Sequence, residues 1–325
     1  MNVAIIGGGA MGALHAGNAL SCGHKLVACG DVRIEQAEAI AKQFGCEATD
    51  ECLALLQRED IDAVVITTPT PTHLEYIKTA AGNGKHIFCE KPLALTVREC
   101  EEAIEAAAAN DVKLFVGHVV RYFQEFEAIR DQIAAGKVGK PGYVKTYRGG
   151  MFPHGAGAWF RDFGQSGGVT LDCSIHDLDW IRYVFGDVTR VYCQRAYRTE
   201  PDPMDYAMVT LRLASGLIAD VIGTWAHPTG FRVKAEVCGD KGVIQFDSAE
   251  APVNVQLRQT DPSNPSVIVP GSPVEKSPYL LEWEDFTAWL ESGREPRVNP
   301  DDAAEAVRIA QAALKSAETG EPVTL

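Results

Sequence analysis

Two stretches of this chain carry side chains that could hold charge and move a proton. In Glu90-Lys91-Pro92 a carboxylate and an amine follow the apolar run Ile87-Phe88-Cys89. That run reads as a buried strand, so the pair stands at a strand's carboxyl end, the edge where open α/β sheets bind ligands. A surface ion pair ahead of a loop has the same spelling. The second stretch is Gly167 to Asp179, where the apolar spacing of Ile175, Leu178, Ile181 and Val184 suggests a helix. Asp172 and His176 would then stand four apart on one helical face, an acid and an imidazole converging as general acid–base chemistry requires. A solvated ion pair or helix cap is the commoner use of that spacing.

The elements around the first stretch alternate in type. Residues 2–6 are a short apolar run entering Gly7-Gly8-Gly9-Ala10-Met11-Gly12, which fits G-x-G-x-x-G. Gly7 permits the strand-to-helix turn, Gly9 lets a pyrophosphate approach the backbone, and Gly12 lets the helix pack closely. The following helix, about Met11 to Cys22, turns its unpaired N–H groups and positive dipole end toward the phosphates. Lys25 to Cys29 reads as a second strand, and Asp31 lies nineteen residues after Gly12. A carboxylate there accepts from both adenosine ribose hydroxyls and repels a 2′-phosphate, which favours NAD; alternatively it caps the helix Ile34–Phe44. Arg33 keeps NADP open, since its guanidinium could partner that phosphate or stack on adenine.

Further on, Asp50 is expected to cap a short helix, and the β-branched run Asp62–Thr67 is expected as the fourth strand of a parallel sheet. The turn Thr67-Thr68-Pro69-Thr70-Pro71-Thr72-His73 either lines the cofactor or merely ends a strand and starts the helix His73–Asn83. Thr96 and Glu99 spell a capping box for an alanine-rich helix ending near Asn110. Lys113–Val116 gives a sixth strand, completing a doubly wound sheet. After the helix Gln124–Ala135 the grammar changes to period two, as in Val209–Leu213 and Val233–Val237, which implies antiparallel strands with one polar face. Ser215-Gly216 and Asp240-Lys241-Gly242 supply turns. Asp261–Pro278, with five prolines, reads as a long surface loop. Asn299-Pro300-Asp301-Asp302 caps a last helix that Gly320 stops.

At 325 residues two domains are expected, a nucleotide-binding domain over 1–119 and a substrate and oligomerisation domain over 120–325. A formal charge of −14 with no Lys/Arg run argues against nucleic acid. No apolar run approaches the ~20 residues a membrane span needs. The amino terminus enters the glycine loop without a basic leader, which points to the cytoplasm. Nine scattered cysteines, never spaced Cys-x-x-Cys, suit buried reduced thiols rather than disulfides or a metal site.

The glycine loop, Asp31, Thr67-Thr68-Pro69, Glu90-Lys91-Pro92, Gly117-His118-Val119-Val120-Arg121-Tyr122 and the Gly167–Asp179 segment occur in the order found in the Gfo/Idh/MocA family of nicotinamide-dependent oxidoreductases, which the whole chain resembles. The resemblance implies a Rossmann domain, then an α+β domain with an open, mostly antiparallel sheet, and a final helix at about 300–319 packing back on the first domain. It implies dimers or tetramers formed through that sheet. Lys91 matches the family's catalytic lysine, with a cis proline after it, and Asp172 and His176 match the acid and histidine of inositol-dehydrogenase-like members. Gly7, Gly9, Ala10, Met11, Gly12, Asp31, Arg33, Thr67, Thr68, Pro69, His73, Glu90 and Lys91 are the cofactor candidates. His118, Arg121, Trp159 and Arg161 join the catalytic three toward substrate, although Trp159 and Arg161 could equally be loop residues packed on the second domain. His154 and Tyr279 are weaker candidates. The expected activity is hydride transfer between a cyclic polyol or sugar and NAD. Alternatives are an NAD-dependent glycoside-cleaving or sugar-rearranging enzyme and a non-catalytic nucleotide sensor.

Overall fold

The computed structural model describes residues 1–153, 156–198, 200, 203–249 and 276–325, without the side chains of 156–158 and 229. In chain order the elements are β1 (Asn2–Ile6), α1 (Ala10–Ser21), β2 (Lys25–Gly30), α2 (Ile34–Phe44), β3 (Glu47–Thr49), α3 (Cys52–Leu55), β4 (Ala63–Ile66), α4 (His73–Gly82), β5 (His86–Glu90), α5 (Val97–Ala109) and β6 (Leu114–Gly117). There follow α6 (Gln124–Ala134), β7 (Pro141–Met151), α7 (Phe163–Ser166), α8 (Gly168–Asp172), α9 (Ile175–Phe185), β8 (Val188–Arg198), β9 (Met204–Leu213), β10 (Ile218–Thr224), β11 (Ala226–Gly239), β12 (Gly242–Asp247), α10 (Pro278–Ser292), α11 (Pro300–Thr319) and β13 (Val323–Thr324). Met1–Tyr122 with Gly271–Glu305 form one compact unit, and Phe123–Pro270 with Ala306–Leu325 form another.

The first unit holds a six-stranded sheet in the order β3-β2-β1-β4-β5-β6 with every pair parallel. Its strands are continuous apolar runs because helices cover both faces: every residue of β4 and β6 is buried. The order reverses between β1 and β4, and a doubly wound sheet binds ligands at that switch point. The capping box at Thr96 and Glu99 is present at the start of α5. Asp50, by contrast, does not cap α3: Glu51 holds the cap position without a side-chain bond, and Thr49 Oγ1 accepts from Glu51 N instead. The helix α10 begins at Pro278, the last residue of the stretch expected as a loop. Ser277 accepts from Leu280 N at 3.1 Å and Pro278 occupies the first helical turn, where its missing N–H costs nothing. Trp283 and Phe286 from α10 pack on Phe88 of β5 and Phe115 of β6, with Phe88 stacked 5.4 Å from Trp283.

The second unit holds a seven-stranded sheet in the order β12-β11-β7-β10-β9-β8-β13, antiparallel except where β7 meets β10. β9 alternates between buried and accessible residues along its length, so one face is core and the other is accessible. Tyr206, Met208 and Ile218 stand 38–39% exposed on this sheet. The loop expected at Asp261–Pro278 lies outside the described residues up to 275. Asn299 Oδ1 accepts from Asp302 N, capping α11 as its sequence suggests.

All nine cysteines are free thiols, buried or half-buried. Burial pushes Cys22 up to about 11, and Cys29 and Cys193 up to about 12. Among the described residues no helix is long and apolar enough to cross a membrane, and no cluster of His, Cys, Asp and Glu could hold a metal ion.

Candidate active site

The glycine loop has the shape its spacing requires. Gly7 sits at φ +105°, a conformation L side chains rarely adopt, and a Cβ on Gly12 would lie 2.0 Å from the Gly7 carbonyl oxygen. A Cβ on Gly9 would meet nothing within 4 Å, so the loop is open on its ligand side. No side chain caps α1, which leaves its first-turn amides for an anion. Asp31 is 8% exposed; its Oδ2 accepts from Gly8 N at 2.8 Å and its Oδ1 from Arg33 N at 2.9 Å. The carboxylate is therefore tied to the glycine loop and is not the cap of α2, where Arg33 takes that position. The Arg33 guanidinium is exposed, with Nε 3.8 Å from Asp31 Oδ1. These groups fit a dinucleotide: amides for the pyrophosphate and a carboxylate beside them for ribose.

Thr67 spends its hydroxyl on the loop, donating to Gly7 O at 2.7 Å, while Thr68 Oγ1 accepts from Thr72. Pro69 is exposed. His73 is buried and spans two turns of this sheet edge, with Nδ1 2.9 Å from Pro92 O and Nε2 2.9 Å from Thr68 O. Burial lowers its pKa.

Lys91 follows β5 directly, half-buried, and the Lys91-Pro92 peptide is cis, as the resemblance implies. Its N–H donates to Glu90 Oε2 at 3.1 Å. Burial works against the Glu90 charge, but the His15 bond and the Lys91 ammonium outweigh it and hold the carboxyl below its usual range. Behind Glu90, His15 of α1 lies 2.9 Å from Oε1, and Trp283 Nε1 donates to His15 Nδ1 at 3.0 Å. One helical position before Trp283, Glu282 is fully buried, and among the described residues neither carboxyl oxygen has a hydrogen-bond partner. Burial first, then the nearby Glu90 and Asp285 charges, raise its pKa well above 4.5, which favours the protonated form.

In the second unit Asp172 and His176 do not share one continuous helix. Ser174 N reaches back to Val169 O at 2.8 Å, five residues away, so the ladder slips and α9 starts afresh after α8. Yet within Ser166–Ile181 every residue except Asp172 and His176 is buried. Two ion pairs fix this segment. Asp205 Oδ2 on β9 accepts from Val169 N at 2.7 Å and from Arg195 Nη2 at 2.8 Å, and Gly168 at φ +63° leaves the room, since a Cβ there would lie 2.3 Å from that oxygen. Arg148 on β7, 4% exposed, holds Asp177 at 2.6 Å, one residue beyond His176.

The other candidates stand as follows. Arg121 is 2% exposed, and its Nη1 donates to Arg297 O at 2.6 Å and Asp302 Oδ2 at 2.9 Å, bonds that tie chain segments together. His118 is buried between β6 and the turn Val119–Tyr122. Trp159 lies 4.0 Å from Phe160, ring to ring, and Arg161 pairs with Glu200 at 3.1 Å on the surface. His154 lies outside the described residues. Tyr279 is in α10, not in a loop, 6.3 Å from the His15 ring. Sequence reasoning missed His15, Glu282, Arg148, Asp177, Arg195 and Asp205; a polar residue inside an otherwise apolar helix face, as at His15, was the available signal.

A parallel six-stranded sheet with a glycine cradle and a ribose carboxylate defines an NAD-binding oxidoreductase fold. The chain belongs to the Gfo/Idh/MocA family: the oxidoreductase family with an NAD-binding Rossmann fold matches residues 1–118, and the Gfo/Idh/MocA C-terminal domain matches residues 126–245. It is 33% identical to the scyllo-inositol 2-dehydrogenase (NAD(+)) of Bacillus subtilis, over 99% of this chain and 95% of that one. It is 29% identical to the myo-inositol 2-dehydrogenase of Thermotoga maritima, over 100% and 98% of the two chains. The crystal structure of a myo-inositol dehydrogenase from Corynebacterium glutamicum superposes with a TM-score of 0.82 at 27% identity, covering 100% of this chain and 98% of that one.

Proposed function

We propose that the protein oxidises a secondary hydroxyl of an inositol, or of a closely related cyclic polyol, to the ketone. NAD, when bound, supplies the acceptor for the hydride leaving the carbinol carbon. The observation that carries the reading is the selective access of Asp172 and His176 in a segment otherwise wholly buried. An acid and an imidazole left partly accessible on a segment that two ion pairs hold in place are what proton transfer needs. His176 takes the hydroxyl proton. Lys91 donates a hydrogen bond to the same oxygen and stabilises its developing negative charge. Asp172 orients the imidazole or a neighbouring hydroxyl of the ring. The names of the inositol dehydrogenases of B. subtilis and T. maritima support the substrate class.

The test is net NADH formation, followed by absorbance, with myo-inositol and scyllo-inositol. Lys91→Ala and His176→Ala each lower kcat by about 10²- to 10⁴-fold while NAD still binds. Full turnover by Lys91→Ala overturns the assigned chemistry. Absence of net NADH with every polyol overturns the oxidation itself and leaves the glycoside-cleaving alternative. The same reading includes a homo-oligomer, dimer or tetramer, using the face that exposes Tyr206, Met208 and Ile218, which light scattering checks, and a cytoplasmic location suited to reduced thiols.

A further inference from the structure

We infer that His15 is a positioning residue for Lys91, acting through Glu90 and fixed in its tautomer by Trp283. The inference rests on the assignment of Lys91 to the reacting oxygen. An indole N–H can only donate, so His15 Nδ1 must present a lone pair, and the proton of the neutral ring sits on Nε2. That proton is donated to Glu90 Oε1 at 2.9 Å, leaving Oε2 to accept from the Lys91 N–H at 3.1 Å. Both oxygens of Glu90 are thereby directed, one toward α1 and one toward the peptide that carries Lys91. His15 is 0% exposed and Glu90 8%, so water does not compete for these bonds.

The line of contacts has a mechanical meaning. α1 is the helix whose amino end lies at the glycine loop, and His15 stands on it little more than a turn in. The same helix that receives the pyrophosphate also orients the lysine at the end of β5, so cofactor position and amine position are set by one rigid element. The charged and titratable groups around Glu90 are His15 from α1, Cys89 on its own strand, Lys91 directly after that strand, His73 from α4 and Glu282 from α10. Burial pushes the Glu282 carboxyl up, whereas the Glu90 carboxyl is held below its usual range.

Two nearly isosteric variants separate positioning from packing. In His15→Gln the amide N–H replaces Nε2–H and still reaches Glu90; in His15→Asn the amide reaches only as far as Nδ1 did. With myo-inositol or scyllo-inositol and NAD, H15Q keeps kcat within about threefold, while H15N loses about 10- to 100-fold, the order expected of a displaced catalytic group. The dissociation constant for NAD, from protein fluorescence, stays within about threefold in both. Glu90→Gln, with its fold checked by thermal melting, lowers kcat, because the oxygen that takes the Lys91 N–H and the one that meets His15 no longer form one carboxylate. Equal activity of H15Q and H15N, or an undiminished kcat in E90Q, overturns the inference. Lys91→Ala keeps the two failures apart: if K91A is inactive while H15N and E90Q behave as wild type, only the positioning role falls, whereas an active K91A removes the lysine assignment beneath it.

Discussion

Replacing Glu282 by glutamine should stabilise the protein progressively more as pH rises. The folded carboxyl is raised well above 4.5 by burial and by the Glu90 and Asp285 charges, whereas in the unfolded chain it titrates near its ordinary value. Between those two values the unfolded state has released its proton and the folded state has kept it. The contribution of Glu282 is therefore complete below the unfolded pKa and is lost as pH climbs toward the folded one. The loss is about 1.4 kcal/mol per pH unit until the buried carboxyl itself ionises. Glutamine has no such proton. How well it fits sets a constant offset, but the slope of the difference between variant and wild type is independent of fit, and the other titrating groups cancel in it. The assay is urea unfolding of both proteins at about pH 5, 6, 7 and 8, followed by tryptophan fluorescence, with thermal melts in parallel. The melting difference should widen by about 2–4 °C per pH unit, depending on whether the whole chain or one unit melts. A difference that stays flat with pH refutes the neutral, desolvated acid.

Three other outcomes are expected. Asp31→Ser removes the acceptor beside the glycine loop and leaves Arg33, so the ratio of kcat/KM for NADP over NAD rises by about 10- to 100-fold in steady-state assays, the equivalent of one charge-assisted bonding group. Gly12→Ala places a methyl 2.0 Å from Gly7 O, which unseats the turn, and NAD binding by fluorescence titration is lost. Arg148→Met strands the buried Asp177 carboxylate, 0% exposed, and lowers unfolding free energy by about 3–5 kcal/mol, read from denaturant midpoints; Asp177→Asn added to it recovers part of the loss.

The nucleotide half was legible because its signals are local. A glycine where φ is positive, a helix that must approach a strand, a threonine three residues before a glutamate: each is a demand made by a few consecutive residues, and Gly7, Gly12, Thr96 and Glu99 meet those demands where the sequence implies. The helix α10 obeys the same grammar, Ser277 then Pro278, but it follows directly on the proline-rich stretch read as loop, and no element was assigned to it. Lys91, Asp172 and His176 were singled out by a strand end and a helical spacing, and the roles expected of them came from motif order. What could not be read is held by distance along the chain. His15 and Glu90 are 75 residues apart, Arg148 and Asp177 are 29 apart, and the break between α8 and α9 turns on one amide choosing Val169 O. Periodicity carries no information about the two long-range pairs, whose partners come from other elements, nor about the slip, which is a choice between acceptors within one short segment.

The cysteines offer a clock for local opening. A thiol raised to about 12, such as Cys29 or Cys193, is ionised in only about one molecule in ten thousand at about pH 8, so alkylation must wait until its strand comes apart. Cys89, whose thiol burial holds well above 9.0, sits next to Glu90 at the end of β5. Its labelling rate, read by mass spectrometry with and without nucleotide, times how often that strand end is released.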